Sequence, residues 1–193
     1  MGITGGVGSG KSRVLEILKE EYGFRVIQAD QVAKDLMQPG QESYRAVVDF
    51  LGPSILNEDG TINRPAMAQV IFGCPDKRIQ VDRLTHPLVW NTAFGEALAC
   101  PEPLVVIEAA IPSKEFRDNC GEMWYVYTSR ENRMERLRES RGYTQEKTES
   151  IMDSQAPDAG FSEFSDAVID NNGSVEDTRK QIRRLLKNKI RMQ

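Results

Sequence analysis

The 193-residue chain has one histidine, His86, and three cysteines, Cys74, Cys100 and Cys120, far apart and odd in number. So small a set of soft ligands excludes a zinc finger, and unpaired cysteines point to a reducing compartment rather than a disulfide framework. No apolar run approaches the roughly 20 residues of a membrane span, and the mean hydropathy is −0.48. Met1 leads into glycines rather than into a basic and then an apolar segment, so no secretory signal is expected. The net charge of −4 is too mild for a nucleic-acid-binding protein. Internal repeats, low-complexity tracts and an obvious linker are also missing. What remains is a cytoplasmic globular protein of one domain with small insertions, without a membrane or nucleic-acid partner, and a monomer or weak oligomer.

The charge is unevenly spread. From Arg179 onward there are seven basic residues and no acidic ones, so the rest of the chain is acidic. Arg130, Arg133, Arg136, Arg138 and Arg141 alternate with Glu131, Glu135 and Glu139, the pattern of a solvated helix laced by pairs three and four residues apart. Short breaks are expected at Pro39-Gly40, Gly52-Pro53, Asp59-Gly60, His86-Pro87 and Asn172-Gly173. Three apolar runs, Phe24–Ile27, Leu104–Ile107 and Met123–Tyr127, read as buried strands, and Ala167–Ile169 as a shorter fourth. Helical patterns lie between them. Val14, Leu15, Ile17 and Leu18 form one apolar face; Ile182, Leu185, Leu186 and Ile190 form another, behind an N-cap at Ser174. Strands alternating with helices predict an α/β fold, a parallel sheet covered on both faces. Residues 42–100 show helices but no strand and read as a helical insertion.

Gly5-Gly6-Val7-Gly8-Ser9-Gly10-Lys11-Ser12 matches the phosphate-loop pattern G-x-x-x-x-G-K-[ST] in full. Glycines let successive backbone N–H groups turn around phosphate oxygens without side-chain obstruction. Lys11 supplies a point charge at the β- and γ-phosphates, the Ser12 hydroxyl suits Mg²⁺, and the following helix adds its positive end. Gly6, Val7, Gly8, Ser9, Gly10, Lys11, Ser12 and the adjacent Arg13 are therefore the expected nucleotide-binding residues. Only residues 1–4 are available for the strand before the loop, which is short for the centre of a sheet.

Two acids are candidates to complete the site. Glu108 ends the run Leu104–Ile107, where it is suited to hold Mg²⁺ through water or to bond Ser12; a strand-end surface acid is the competing reading. Asp30 lies nineteen residues beyond Lys11 and just past a strand, at the end where ligands gather in open α/β sheets. It is suited to take the proton of an attacking hydroxyl, with helix capping as the alternative. The guanine-reading N-K-x-D element of GTPases is absent, and Asp49-Phe50-Leu51-Gly52 falls in a helical pattern. The arginine helix followed by Gly142-Tyr143-Thr144 favours a kinase instead, because an arginine closing on a transferring phosphoryl group is worth roughly 10³–10⁵ in rate.

These residues resemble the dephospho-coenzyme A kinase family over nearly the whole chain. The likeness is carried by Thr4–Ser12, Gln28–Ala33, Pro39-Gly40, Asp59-Gly60, Ile71-Phe72, His86-Pro87-Leu88-Val89, Arg136, Ser140-Arg141-Gly142, Gln155 and Asp166–Gly173. The resemblance implies transfer of the ATP γ-phosphate to the ribose 3′-hydroxyl of dephospho-CoA, with Mg²⁺. It implies a phosphate-loop three-layer core (1–41, 101–129 and 156–193), a helical substrate-binding domain (42–100) and a small helical lid (130–155). It implies Asp30 as catalytic base, Arg136 and Arg141 as phosphate clamps, Asp170–Gly173 near the adenine with Asn172 and Gly173 binding it, and Asp30, His86 and Glu108 toward the acceptor.

The chain departs from the family at several points. It reads Glu108-Ala109-Ala110-Ile111-Pro112-Ser113-Lys114-Glu115 where members carry Pro-Leu-Leu-hydrophobic-Glu, lacks a basic residue between Gln155 and Asp166, and has Arg13 where threonine is frequent. Family members also begin several residues further upstream. Another nucleoside or small-molecule kinase, or an ATP-binding regulatory module with degraded catalysis, remain the alternatives.

Overall fold

The structure, a computed structural model, describes residues 1–190 and the side chains of residues 1–187. The side chains of Lys189 and Ile190, and all of Arg191, lie outside the described part of the basic helix. In chain order the elements are β1 (Gly2–Thr4), α1 (Lys11–Tyr22), β2 (Arg25–Gln28), α2 (Ala29–Leu36), α3 (Glu42–Leu51), α4 (Arg64–Phe72), α5 (Pro75–Ala99), β3 (Val105–Glu108), α6 (Lys114–Asp118), β4 (Met123–Tyr127), α7 (Arg130–Arg141), α8 (Gln145–Asp153), α9 (Asp158–Glu163), β5 (Ala167–Asp170) and α10 (Val175–Ile190). They divide into two compact units, Met1–Val26 with the residues from Cys100 onward, and Ile27–Ala99.

The first unit is built on a five-stranded sheet in the order β2-β3-β1-β4-β5. Strand β1 runs parallel to both neighbours, with Gly2 opposite Ile107 and Ile3 opposite Trp124, and β5 runs parallel to β4, with Ile169 opposite Val126. The strands coincide with the apolar runs because a parallel sheet is covered on both faces. On one face, Ile3, Val106, Trp124, Val126 and Ile169 pack with Val14, Leu15, Ile17 and Leu18 of α1 and Ile182 of α10. On the other face, the Tyr125 ring stacks on Phe161 of α9 with centroids 5.2 Å apart, and Phe116 of α6 lies against Gly2, where an added Cβ would come within 3.0 Å. Helices α1 and α10 thus cover one side, α6 and α9 the other. Helix α1 ends where Gly23 turns left-handed (φ +72°) and Phe24 N–H bonds Leu18 O at 3.1 Å, which frees the chain to start β2.

The second unit takes the last two residues of β2, Ile27 and Gln28, and is otherwise helical; beyond them its described residues hold only a single bridge between Leu56 and Ile62. Val47, Ile55 and Val81 form its core, with Met37, Leu51, Met67 and Ile71 packed around them. The expected break at His86-Pro87 does not occur: Pro87 lies inside the 25-residue α5. A proline inside a helix removes one backbone bond and is tolerated when burial holds the helix on both sides of it. Val81 before it and Val89, Trp90 and Ala93 after it are buried, and the Trp90 ring stacks on Phe94.

Strand β1 has three residues, so its stability rests on side-chain burial. Ile3→Ala, which empties a fully buried position at the sheet centre, is expected to lower unfolding stability by about 2–5 kcal/mol. Urea titration followed by circular dichroism measures it, and a loss below about 1 kcal/mol would show that β1 is not an anchor of the core.

Candidate active site

Strand β1 is central, with β3 on one side and β4 on the other, and its carboxyl end is the switch point where an open α/β sheet takes ligands. Residues 5–10 leave β1 there and lead into α1. Gly8 and Gly10 adopt left-handed backbone angles (φ +77° and +87°), which side chains disfavour. An added Cβ at Gly10 would stand 2.1 Å from Asn171 Nδ2, and one at Gly6 2.3 Å from the Arg133 guanidinium. The loop is thus bare of side chains because other side chains are pressed against it.

Those side chains hold its carbonyl groups. Ser9 O accepts from Thr128 Oγ1 and from Asn171 Nδ2, each at 2.9 Å and both buried. A trans peptide points its N–H opposite its C=O, so fastening Ser9 O on this side turns Gly10 N–H to the other. Asn171 is itself fixed: its Oδ1 accepts from the Thr178 hydroxyl at 2.8 Å and its own carbonyl accepts from Arg136 at 2.7 Å. Arg136 also donates to Thr128 Oγ1 at 3.3 Å. Lys11 Nζ bonds Gly5 O at 2.7 Å and Gly6 O at 3.4 Å, and pairs with Glu108 Oε1 at 3.5 Å. Glu108 is buried; it sits against the loop lysine rather than at the surface.

Ser12 is exposed in the first turn of α1, beside the left-handed Gly10, and Ser9 Oγ is buried with no hydrogen-bond partner among the described residues. A glycine loop with free-standing backbone, a lysine, an exposed serine hydroxyl and the start of a twelve-residue helix is a donor set that suits a nucleotide's phosphate chain, and the serine hydroxyl suits its Mg²⁺.

The other expected residues lie as follows. Arg13 is exposed and pairs with Glu16. Asp30 is exposed in the first turn of α2, in the helical unit. His86 is on the surface of α5, 3.8 Å from an Asp82 oxygen. Arg141 ends α7, exposed, with its guanidinium 5.8 Å from the Tyr143 ring centre. Asn172 Oδ1 accepts from Ser129 N–H and Asn132 Nδ2 at 2.8 and 2.9 Å, tying the β5 end to the start of α7, and Gly173 is exposed beside it. Sequence reasoning missed Thr128 and Arg133 as site residues, and it put Asn171 in the segment near the adenine rather than on the loop. For Arg133 a signal existed: it stands one turn before Leu137, on the same buried face of α7.

A central strand delivering a glycine loop to the end of a parallel sheet, with loop amides, lysine and serine in place, defines a nucleoside-triphosphate-binding P-loop fold of the small-kinase class. The chain belongs to the dephospho-CoA kinase family, whose model matches residues 1–177. A dephospho-CoA kinase of Streptococcus mutans is 36% identical over 185 residues, covering 94% of this chain and 93% of that one. Among solved structures, the dephospho-CoA kinase of Campylobacter jejuni superposes with a TM-score of 0.69 at 18% identity, covering 96% of this chain and 94% of that one. A Thermus thermophilus protein superposes with a TM-score of 0.80 at 24% identity, covering 97% and 95%. Likeness at these identities speaks to the fold.

Gly10→Ala forces a side chain into the left-handed region and onto Asn171. Nucleotide affinity, read by titration with a fluorescent ADP analogue, is expected to fall at least tenfold, or about 1.4 kcal/mol. Unchanged affinity would mean the loop can yield at this point.

Proposed function

We propose that the protein transfers the γ-phosphoryl group of ATP to the ribose 3′-hydroxyl of dephospho-CoA, giving coenzyme A and ADP. The observation that carries this reading is a family match over residues 1–177 that includes an intact, braced phosphate loop. Loop amides and Lys11 hold the phosphates, where the lysine charge offsets the charge that gathers as the phosphoryl group leaves. Ser12 would hold Mg²⁺, with Glu108 acting through water; the bound ion would supply neutralisation of phosphate charge. Arg136 and Arg141 clamp the phosphates. Asn172 and Gly173 flank the adenine.

Asp30 takes the proton from the 3′-hydroxyl as its oxygen attacks phosphorus. Its exposed carboxylate follows β2, and catalytic groups of open α/β folds gather at that end of the strands. Residues 42–100 form the acceptor domain, with His86 toward the substrate, and residues 130–155 the lid. In support, the helical unit contains a cavity of about 390 Å³ lined by Met37, Ile62, Met67 and Ile71, with Lys34 and Arg64 among its walls. An apolar pocket with two cations suits an acceptor that joins an uncharged arm to a diphosphate.

Asp30→Asn is expected to leave ATP binding within about threefold while lowering turnover by about 10² or more, the range of general base catalysis. ADP release with dephospho-CoA and with a panel of nucleosides as acceptors reads it. Near-normal turnover of the variant removes Asp30 as base. Faster turnover of a nucleoside would replace the acceptor, and ATP binding without transfer to any acceptor would favour a regulatory module.

A further inference from the structure

Arg133 and Gln155 belong to the 130–155 segment read above as the lid but have no individual role there, and both close on the tip of the phosphate loop. Arg133 Nε donates to Val7 O at 2.8 Å, Val7 N–H donates to Gln155 Oε1 at 2.9 Å, and a terminal nitrogen of Arg133 donates to the same Gln155 oxygen at 3.0 Å. The three bonds form a closed ring around one residue of the loop. They join positions 126 and 148 residues apart in the chain, so the ring is a property of the fold and not of a turn.

Arg133 is 7% exposed, and among the described residues no carboxylate forms an ion pair with it. Burial pushes its guanidinium below the usual arginine range, and the nearby Asp158 partly offsets this. A buried cation with only neutral acceptors is a poor way to stabilise a helix, because the desolvation penalty is not returned by a partner. Its guanidinium lies instead against Gly6 of the phosphate loop, with three of its atoms within 2.9 Å of where an added Cβ would stand.

The ring also fixes two peptide planes. With Val7 O held by Arg133, the N–H at the other end of that planar unit, Gly8 N–H, points the opposite way. With Val7 N–H held by Gln155, Gly6 O is turned back toward Ser9 N–H at 3.2 Å and Lys11 Nζ at 3.4 Å. Gly8 has no side chain to restrain it and sits at φ +77°. Ser9 N–H and Lys11 hold the Gly6–Val7 plane from its carbonyl side as well, so it is the Val7–Gly8 plane that depends on the ring.

We propose that Arg133 and Gln155 are a positioning pair for phosphoryl transfer, holding Val7 so that the Gly8 N–H is presented to the phosphate chain as charge develops on it. This rests on the kinase reading above. A donor aimed in advance at developing charge acts more on the transition state than on the ground state, so its loss appears in kcat more than in KM. Complete removal of such a donor costs about 10²–10³ in rate; misaiming it costs less.

The test uses the full chain and four variants, Arg133→Met, Arg133→Lys, Gln155→Met and the double Arg133→Met/Gln155→Met. Arg133→Met and Gln155→Met are each expected to lower kcat at least about tenfold, with KM for ATP and for dephospho-CoA changed less than about threefold. Arg133→Lys, which keeps one donor for Val7 O, recovers part of the rate. The double variant is no more than about twofold worse than the poorer single one, as residues acting in one unit require. Wild-type kcat in both single variants overturns the pair, as do losses that multiply in the double variant or an effect carried wholly by KM. Gln155 is only partly buried, so its variant decides the matter if Arg133→Met does not fold. Hydrolysis of ATP to water, measured without acceptor, is expected to fall by the same factor. A wild-type chain that hydrolyses ATP but does not phosphorylate dephospho-CoA would therefore overturn the acceptor and leave the pair to be judged on hydrolysis.

Discussion

A backbone loop can hold an anion only while its carbonyl groups face elsewhere, and they stay there only if something accepts the duty of bonding them. In this protein the controlling bond is the one made by Ser9 O, which takes donors from Thr128 and Asn171 together. These two residues are the first beyond β4 and β5. Asn171 N–H bonds Tyr127 O at 2.8 Å, so the ladder between the strands runs into the brace. Sheet register is thereby converted into loop geometry. A slip of β5 by one residue would bring Asp170 or Asn172 to the place of Asn171, and neither has the buried surroundings or the Thr178 contact that aim its amide.

The same logic accounts for the distribution of positive charge. The chain is acidic on balance, yet Lys11, Arg133 and Arg136 all meet the loop or its braces. One buried carboxylate, Glu108, pairs with Lys11; Arg133 and Arg136 bond neutral oxygens. Backbone carbonyls hold these side chains in place while leaving their charge largely uncompensated. Such an arrangement is poorly suited to stability and well suited to an anion, since both guanidinium groups are already oriented, and that of Arg133 is already buried, before phosphate arrives.

Much of this was legible in the sequence, and the boundary is physical. The loop could be read because its chemistry is local: eight consecutive residues carry the turn, the lysine and the serine. The strands could be read because a doubly covered parallel sheet leaves unbroken apolar runs, and α7 spans the arginine cluster because Ser129 and Gly142 cap it. Arg133 was obscured by its neighbours, since a helix alternating arginine and glutamate looks solvated on every side. Thr128 and Asn171 act across 119 and 162 residues, and no spacing rule reports a contact of that range. Pro87 misled in the opposite direction: a proline signals a break locally, and burial along both halves of α5 overrode it.

The shortness of β1 then has a consequence for how the site is held. A three-residue central strand contributes few ladder bonds, so the loop that follows cannot be positioned from β1 alone. Its position is set from the far side, by the ends of β4 and β5 acting on Ser9 and by α7 acting on Val7. The phosphate loop is usually described as a strand leading to a helix, but here side chains from the ends of β4 and β5 and from α7 support it as well. Thr128, Arg133 and Asn171 thus touch the loop as closely as its own neighbours do, although only residues 5–12 carry the motif. The tolerance of the motif to change and the tolerance of its braces are one quantity, because the glycines are required by the side chains that press against them.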